Sequence, residues 1–457
     1  EDNPNLTPRG TRVEQPKKFN MAKKPIKQRR FLTPLTWILS LPEISARKLK
    51  IEKVDMEGIR PPYLLLSTHM AFLDFKVTTR AIFPHGANYV VAIDGFLRGE
   101  WLLRQVGCIC KRKFTNDILL VRQMRHALEK HRAIVALYPE ARYSYCGTTS
   151  ALPASLGKLI KIFKVPVVVL NQRGNYLSQP VWNLAKRKCR IEATMTGLLR
   201  PEQIERASVD EINGAVAAAF RYDEYAWQKK NGIVIDHPER AKGLHHILYQ
   251  CPHCLTESKM DSAGDELWCN HCGKRWRMGA LGDLAATAGE TEFPHIPDWF
   301  EFERAMVRKQ IEEGGYRFED RVAVDSLPNA KGYIRLGEAT LRHGPEGFVL
   351  DGLEGDPSFR LEKKPLENYS LHIEFDYFGK GDCIDLSTLE DTYYLYPLTW
   401  KNCVTKLQFA VEELFKLEEE RRVAQAAASA GAKAAARAEA GLAEPASEAG
   451  PRERVMA

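Results

Sequence analysis

What the chain lacks narrows it first. No apolar run approaches the ~20 residues that a bilayer-spanning helix requires, although the chain has 457 residues in which to place one. The body also lacks a charge excess. Residues 1–50 carry 12 Lys/Arg against 4 Asp/Glu, a surplus of 8, which is one more than the whole chain's +7. A near-neutral body disfavours a nucleic-acid binder, whose affinity rests on neutralising many phosphates. The basic arm fits anionic lipid, nucleic acid or simple solubility. A secretory leader is poorly supported: Lys27-Gln28-Arg29-Arg30 and the uncharged Phe31–Pro42 supply basic and apolar regions, but late and without a small-residue cleavage site. That stretch reads better as an interfacial anchor, with basic residues for phosphates and Trp37 and leucines for the headgroup boundary, or else as a core helix. The ten cysteines are no disulfide framework in a chain this long. With four of them in paired knuckles, a reducing cytosol and a bound metal are expected.

The length implies two to four domains. Residues 1–30 are polar and basic and read as a disordered arm. Residues 31–240 alternate strands and helices, with strands at 62–67, 88–93, 108–110, 133–138 and 165–170, an edge strand at 190–196, and helices at 116–131, 155–164 and 209–229. This is a mixed α/β layer. Residues 243–280 hold the paired cysteines, and 281–297 read as linker. Residues 298–422 read as a helix (298–313), seven short strands and a closing helix, the count of a pleckstrin-homology or GRAM-like module. Residues 423–457 are an Ala-rich low-complexity tail that could extend the last helix.

Chemistry concentrates at strand ends. Tyr63-Leu64-Leu65-Leu66 is a buried strand, and Ser67-Thr68-His69-Met70-Ala71-Phe72-Leu73-Asp74 follows it. Residues five apart on a helix do not face each other, so His69 and Asp74 can meet only across a loop. Asp74 would fix one imidazole nitrogen and leave the other to take a proton from a hydroxyl. The alternative is that Asp74 caps the helix after it and His69 is an ordinary loop residue. Further strand ends carry Gly107-Cys108-Ile109-Cys110-Lys111-Arg112, then Pro139-Glu140-Ala141-Arg142, then Val165-Pro166-Val167-Val168-Val169-Leu170.

These four blocks, in this order, resemble the glycerolipid acyltransferase family that includes 1-acyl-glycerol-3-phosphate acyltransferases. The resemblance covers about residues 31–235. It implies an acyl group moved from acyl-CoA or acyl-carrier protein to a hydroxyl of a lysophospholipid or glycerol phosphate, with His69 as general base and Asp74 orienting it. It further implies Arg112, Glu140 and Arg142 around the acceptor, the guanidinium forks suiting a phosphate. Two departures stand out: Ala141 replaces the family's usual Gly, and Arg142 comes one position early, which leaves the acceptor open. Alternatives are acylation of another lipid acceptor, or a lipid-binding scaffold without turnover. The expected location is cytoplasmic, peripheral on the inner face of the cell membrane, against anionic lipid.

Cys251-Pro-His-Cys254 and Cys269-Asn-His-Cys272 form two Cys-x2-Cys knuckles fourteen residues apart. That pattern reads as a zinc ribbon whose four thiolates close the coordination shell, so the Zn2+ is structural. His253 and His271 are not expected as ligands. Lys274-Arg275-Trp276-Arg277 reads as a docking surface rather than a nucleic-acid patch, and the remaining cysteines as ordinary thiols.

Overall fold

The computed structural model describes residues 18–439. Residues 1–17 of the expected arm and 440–457 of the tail lie outside the described residues.

The first sheet holds β1 (Lys50–Val54), β2 (Tyr63–Ser67), β3 (Ala87–Ala92), β4 (Ile109–Lys111), β5 (Ile134–Leu137), β6 (Val167–Arg173) and β7 (Glu192–Leu199), in the order β1-β7-β6-β2-β5-β3-β4. All pairings are parallel except β6 with β7. The helices are α1 (Thr33–Ala46), α2 (Asp74–Ala81), α3 (Glu100–Gln105), α4 (Ile118–Glu129), α5 (Ser155–Phe163), α6 (Asn175–Ser178), α7 (Pro201–Arg206), α8 (Val209–Ala219) and α9 (Glu224–Lys230). The apolar runs are continuous because both sheet faces are covered. Leu64, Leu66, Val135, Val167 and Val169 pack with Met124, Leu128 and Ile160 on one face. Leu65, Ile134, Ala136, Val168 and Leu170 pack with Val77 and Ile93 on the other. Each of these side chains other than Ala136, fully buried, contributes ~1.5–3 kcal/mol.

Three sequence expectations change here. The strand expected at the edge is interior, because β7 gains a parallel neighbour in the charged strand β1. Lysines and a glutamate on that true edge discourage further pairing. The single helix expected over 209–229 is two, α8 and α9, broken where Asp223 caps α9 by accepting from Ala226 N–H. Residues 18–29 are not a free arm. Phe19 is buried against Phe96, its amide donates to Pro328 O, and Asn88 Nδ2 donates to Ile26 O.

The ribbon is an antiparallel sheet of β8 (Met260–Ala263), β9 (Glu266–Cys269), β10 (Arg275–Met278) and β11 (Leu284–Ala286), in the order β11-β10-β9-β8. β11 lies in the expected linker, where Leu284 is buried and its amide bonds Pro294 O, so this stretch is packed structure. After α10 (Ile296–Glu312) come β12 (Phe318–Ser326), β13 (Ile334–Gly344), β14 (Gly347–Leu353), β15 (Asp356–Lys363), β16 (His372–Glu374), β17 (Cys383–Ser387) and β18 (Thr392–Pro397). They form one antiparallel sheet, β15-β14-β13-β12-β18-β17-β16. The closing helix α11 (Val404–Glu439) takes in part of the Ala-rich tail. One apolar core runs from Met70, Tyr145 and Tyr176 through ribbon residues Met260, Leu267 and Trp276 to Trp299, Leu395 and Phe409.

Candidate active site and metal centre

Strands β2, β6, β5, β3 and β4 run parallel, so their C-terminal ends lie along one edge. Loops leaving that edge are where α/β folds place reactive groups. The start of the loop after β2 is held from two sides. Gln172 N–H donates to Thr68 Oγ1 (3.1 Å), and Ser144 N–H donates to His69 O (2.9 Å).

The loop brings His69 and Asp74 together, with Nδ1 to Oδ2 at 3.1 Å. Asp74 opens α2 but does not cap it; the helix has no side-chain cap. Its carboxylate turns back instead. Oδ2 also accepts Met70 N–H (2.5 Å) and Ala71 N–H (3.0 Å), and Oδ1 accepts Asn175 Nδ2 (2.7 Å). The residue is 0% exposed, so a charge there is stable only because these donors replace water. With Nδ1–H donated to Asp74, Nε2 is the lone-pair nitrogen; it has no hydrogen-bond partner among the described residues. The His69 ring lies between Tyr138 (centroids 4.3 Å apart) and Tyr143 (4.2 Å), and 22% of the side chain stays exposed. Burial raises both phenols, so both rings remain neutral at any physiological pH.

Asn175, Tyr138 and Tyr143 were not singled out from the sequence. A signal for Asn175 existed: Gly174-Asn175 directly follows the most apolar strand. Gly174 has φ +83°, and a Cβ there would meet Arg190 O at 2.1 Å, so the turn requires glycine. Gly174 N–H donates to buried Glu224 (2.7 Å), whose carboxyl burial pushes up to about 8.

The three residues expected around the acceptor are placed otherwise. Glu140 is wholly buried and accepts His69 N–H (2.8 Å), Ser150 N–H (2.7 Å) and Tyr222 O–H (3.0 Å). Burial raises its carboxyl to about 7 despite those bonds and the nearby Arg142 charge. Arg112 is 1% exposed, and its two terminal nitrogens donate to Leu327 O, Thr392 Oγ1, Pro328 O and Glu390 O at 2.8–3.0 Å. Arg142 is buried against Glu412 of α11 (2.9 Å). Neither guanidinium is free to grip an acceptor phosphate here, because the C-terminal sheet and helix already fill their forks. Ala141 takes a left-handed backbone (φ +57°), which costs a residue with a Cβ ~1–2 kcal/mol.

Cys251, Cys254, Cys269 and Cys272 converge, their sulfurs all within 4.8 Å of one another. Cys251–Cys272 are 3.7 Å apart and Cys254–Cys269 3.8 Å. Tetrahedral zinc with Zn–S of ~2.3 Å sets its sulfurs ~3.8 Å apart, so the four residues fit that ion. The knuckles repeat one another: Cys251 and Cys269 N–H donate to Thr256 and Lys274 O, while Leu255 and Gly273, both left-handed, donate back to Cys251 and Cys269 O. His253 faces Glu292, and His271 bonds Thr256, whose hydroxyl also contacts Cys254; neither belongs to the four-sulfur cluster. Trp276 is buried against Trp299, and Arg275 and Arg277 pair with Glu266.

No protein-family profile matches the chain, and no curated protein sequence does. Among solved structures, the chain is similar to the 1-acyl-sn-glycerophosphate (LPA) acyltransferase PlsC from Thermotoga maritima, at 15% identity and a TM-score of 0.31. That match covers 42% of this chain and 77% of the other, and at this TM-score the likeness carries nothing over. No helix among the described residues is long and apolar enough to cross a membrane.

Proposed function

We propose that this chain is an acyltransferase that moves a fatty acyl group from a thioester, acyl-CoA or acyl-carrier protein, to a lipid hydroxyl. The observation that carries the reading is the buried Asp74 carboxylate, held by Met70, Ala71 and Asn175 and bonded to His69 Nδ1, with Nε2 left unbonded. Nε2 takes the hydroxyl proton as the oxygen attacks the thioester carbonyl. The tetrahedral intermediate collapses, the C–S bond breaks, and the imidazolium returns its proton to the leaving thiolate. A general base of this kind contributes ~10²–10⁴ in rate. Asp74 stabilises the imidazolium and fixes the tautomer.

The acceptor is proposed as a lysophospholipid or glycerol phosphate. The filled forks of Arg112 and Arg142 favour a second reading, in which the acceptor is a lipid hydroxyl without a neighbouring phosphate. The four cysteines are proposed to hold a structural Zn2+, which would tie the two knuckles together. Seven strands and a closing helix support a pleckstrin-homology or GRAM-like module. Peripheral attachment to anionic membrane is proposed through exposed Phe31 and Ile38 beside the basic arm. The test supplies purified protein and, in separate arms, labelled acyl-CoA and labelled acyl-carrier protein, each with lysophosphatidate, glycerol phosphate, monoacylglycerol and an amino-lipid. Acylation of the first two supports the primary reading, and acylation confined to the last two supports the second. No acylated product from either donor type overturns both.

A further inference from the structure

The C-terminal helix reaches the catalytic loop through a chain of hydrogen bonds that is buried up to its last link, at the part-exposed His69. Glu412 of α11 accepts Arg142 Nη2 (2.9 Å). Arg142 Nη1 donates to Ser150 Oγ (3.1 Å) and Tyr143 O (3.2 Å). Ser150 N–H donates to Glu140 Oε1 (2.7 Å), and Glu140 Oε2 accepts the backbone N–H of His69 (2.8 Å). Arg142, Ser150, Glu140 and Glu412 are all buried. A second branch of the same link runs through Tyr145, whose hydroxyl oxygen accepts Ile373 N–H of β16 (2.9 Å) and whose ring lies under the Arg142 guanidinium (4.2 Å).

Resting on the acyltransferase reading of His69, we propose that the C-terminal module is part of the catalytic machinery, with Glu412, Arg142 and Glu140 acting as positioning residues for the general base. Three physical points support it. Buried polar chains of this kind have one arrangement that satisfies every member, so they fix geometry where a surface loop would wander. Both ends of the Arg142 fork are defined, since Glu412 Oε2 also accepts Arg304 Nη1 (2.5 Å) from α10 and cannot swing away. Burial would raise the Glu412 carboxyl, but Arg304 and Arg142 overcome it and draw it down to about 2, so the anchor stays charged at every working pH. The peptide that Glu140 grips is that of His69 itself, so a shift at α11 is felt at the imidazole without contact with substrate. The same arrangement explains why two arginines expected at the acceptor are turned inward: they join the module to the site.

The test uses the full chain, with Glu412→Gln, Glu140→Gln and Ser150→Ala, and with Arg308→Ala as control. Arg308 pairs with Glu413 and Glu420 at the same α10–α11 contact but touches no member of the chain to His69. Two readouts are taken: kcat with donor KM, and the backbone amide resonance of His69 in protein labelled with 15N-histidine. Small displacements of a base cost up to ~10²-fold, so Glu412→Gln and Glu140→Gln should lower kcat by ~10–100-fold, with donor KM within about twofold. The His69 amide should move upfield in both as its bond to Glu140 weakens. Ser150→Ala, the milder cut if Glu412→Gln does not fold, should shift the amide the same way, and Arg308→Ala should leave both readouts in place. An unmoved His69 amide in folded Glu412→Gln or Ser150→Ala overturns the proposal, as does an equal kcat loss in Arg308→Ala. If the wild type acylates nothing, the functional reading fails, and the amide shift alone still decides the link.

Discussion

Replacing Asp74 by Asn changes one atom in a site where four donors point at a carboxylate. Oδ2 takes three of them, from His69, Met70 and Ala71, and Oδ1 takes Asn175 Nδ2. An asparagine oxygen can serve the three-donor side only by turning its own NH2 toward Asn175, donor against donor. Asn175 can flip, since its Oδ1 has no partner, but it then loses its 2.6 Å bond to Gln172 Oε1. Losing charge-assisted bonds costs ~1.5–3 kcal/mol, so the variant should fold with a Tm lower by a few degrees. Catalysis suffers more. The imidazolium loses its counter-charge and the tautomer is no longer fixed, which by analogy with hydrolytic triads costs ~10³–10⁴ in kcat, or ~4–5.5 kcal/mol. Release of free thiol from acyl-CoA at saturating acceptor measures it. A folded Asp74→Asn protein with kcat within tenfold of wild type would refute the dyad.

Other outcomes follow from the same geometry. Asn175→Ala should cost ~10-fold in kcat through Asp74, by the reasoning for misplaced catalytic groups, with urea unfolding showing a smaller relative loss. Glu140 has a folded-state carboxyl near 7, above the ordinary 4.5. Its share of stability is therefore fullest below about pH 4.5 and is lost as pH rises through about 7; urea melts of Glu140→Gln should show that fall flattened. Purified protein should carry about one zinc, and Cys251→Ser should lower the Tm of the whole chain, because Met260, Leu267 and Trp276 of the ribbon sit in the shared core; scanning calorimetry resolving a separate ribbon melt would contradict this. A 1–240 fragment should be insoluble or inactive for the same reason. Phe31→Asp with Ile38→Asp should reduce flotation with anionic liposomes without changing the Tm, since both side chains are about two-thirds exposed (69% and 67%).

Local pattern reached a good part of this structure. The strands around Leu64–Leu66 and Val167–Leu170 are buried on both faces, and their continuous apolar runs said so. The ribbon cysteines were legible because metal geometry imposes a spacing on the chain. That His69 and Asp74 could meet followed from their five-residue separation just past a strand. What was hidden depends on distant pairing. Arg112 finds its acceptors 215–280 residues away, and Arg142 finds Glu412 270 residues away, so no local pattern shows that their forks are filled. For Asn175 the only local signal was the glycine turn before it; its partner Asp74 opens α2, 101 residues away. The docked arm was hidden because polar composition around Phe19 looks like disorder until Phe96 and Pro328 are beside it. The position of α1 was likewise invisible. It runs antiparallel to α2, with Trp37 against Phe83 past the far end of α2 and Glu43 against Lys76 near its start. The start of α1 is therefore at the end of α2 away from His69.

The most direct measurement is acyl transfer by the full chain and by His69→Ala, matched for fold by circular dichroism and Tm. The substrates are acyl-CoA or acyl-carrier protein and the acceptor that the wild type prefers. A partly exposed loop residue whose side chain bonds only Asp74 can be truncated without unfolding the protein. The account predicts clear turnover by the wild type and none above background by the folded variant. Wild-type turnover in folded His69→Ala would contradict it.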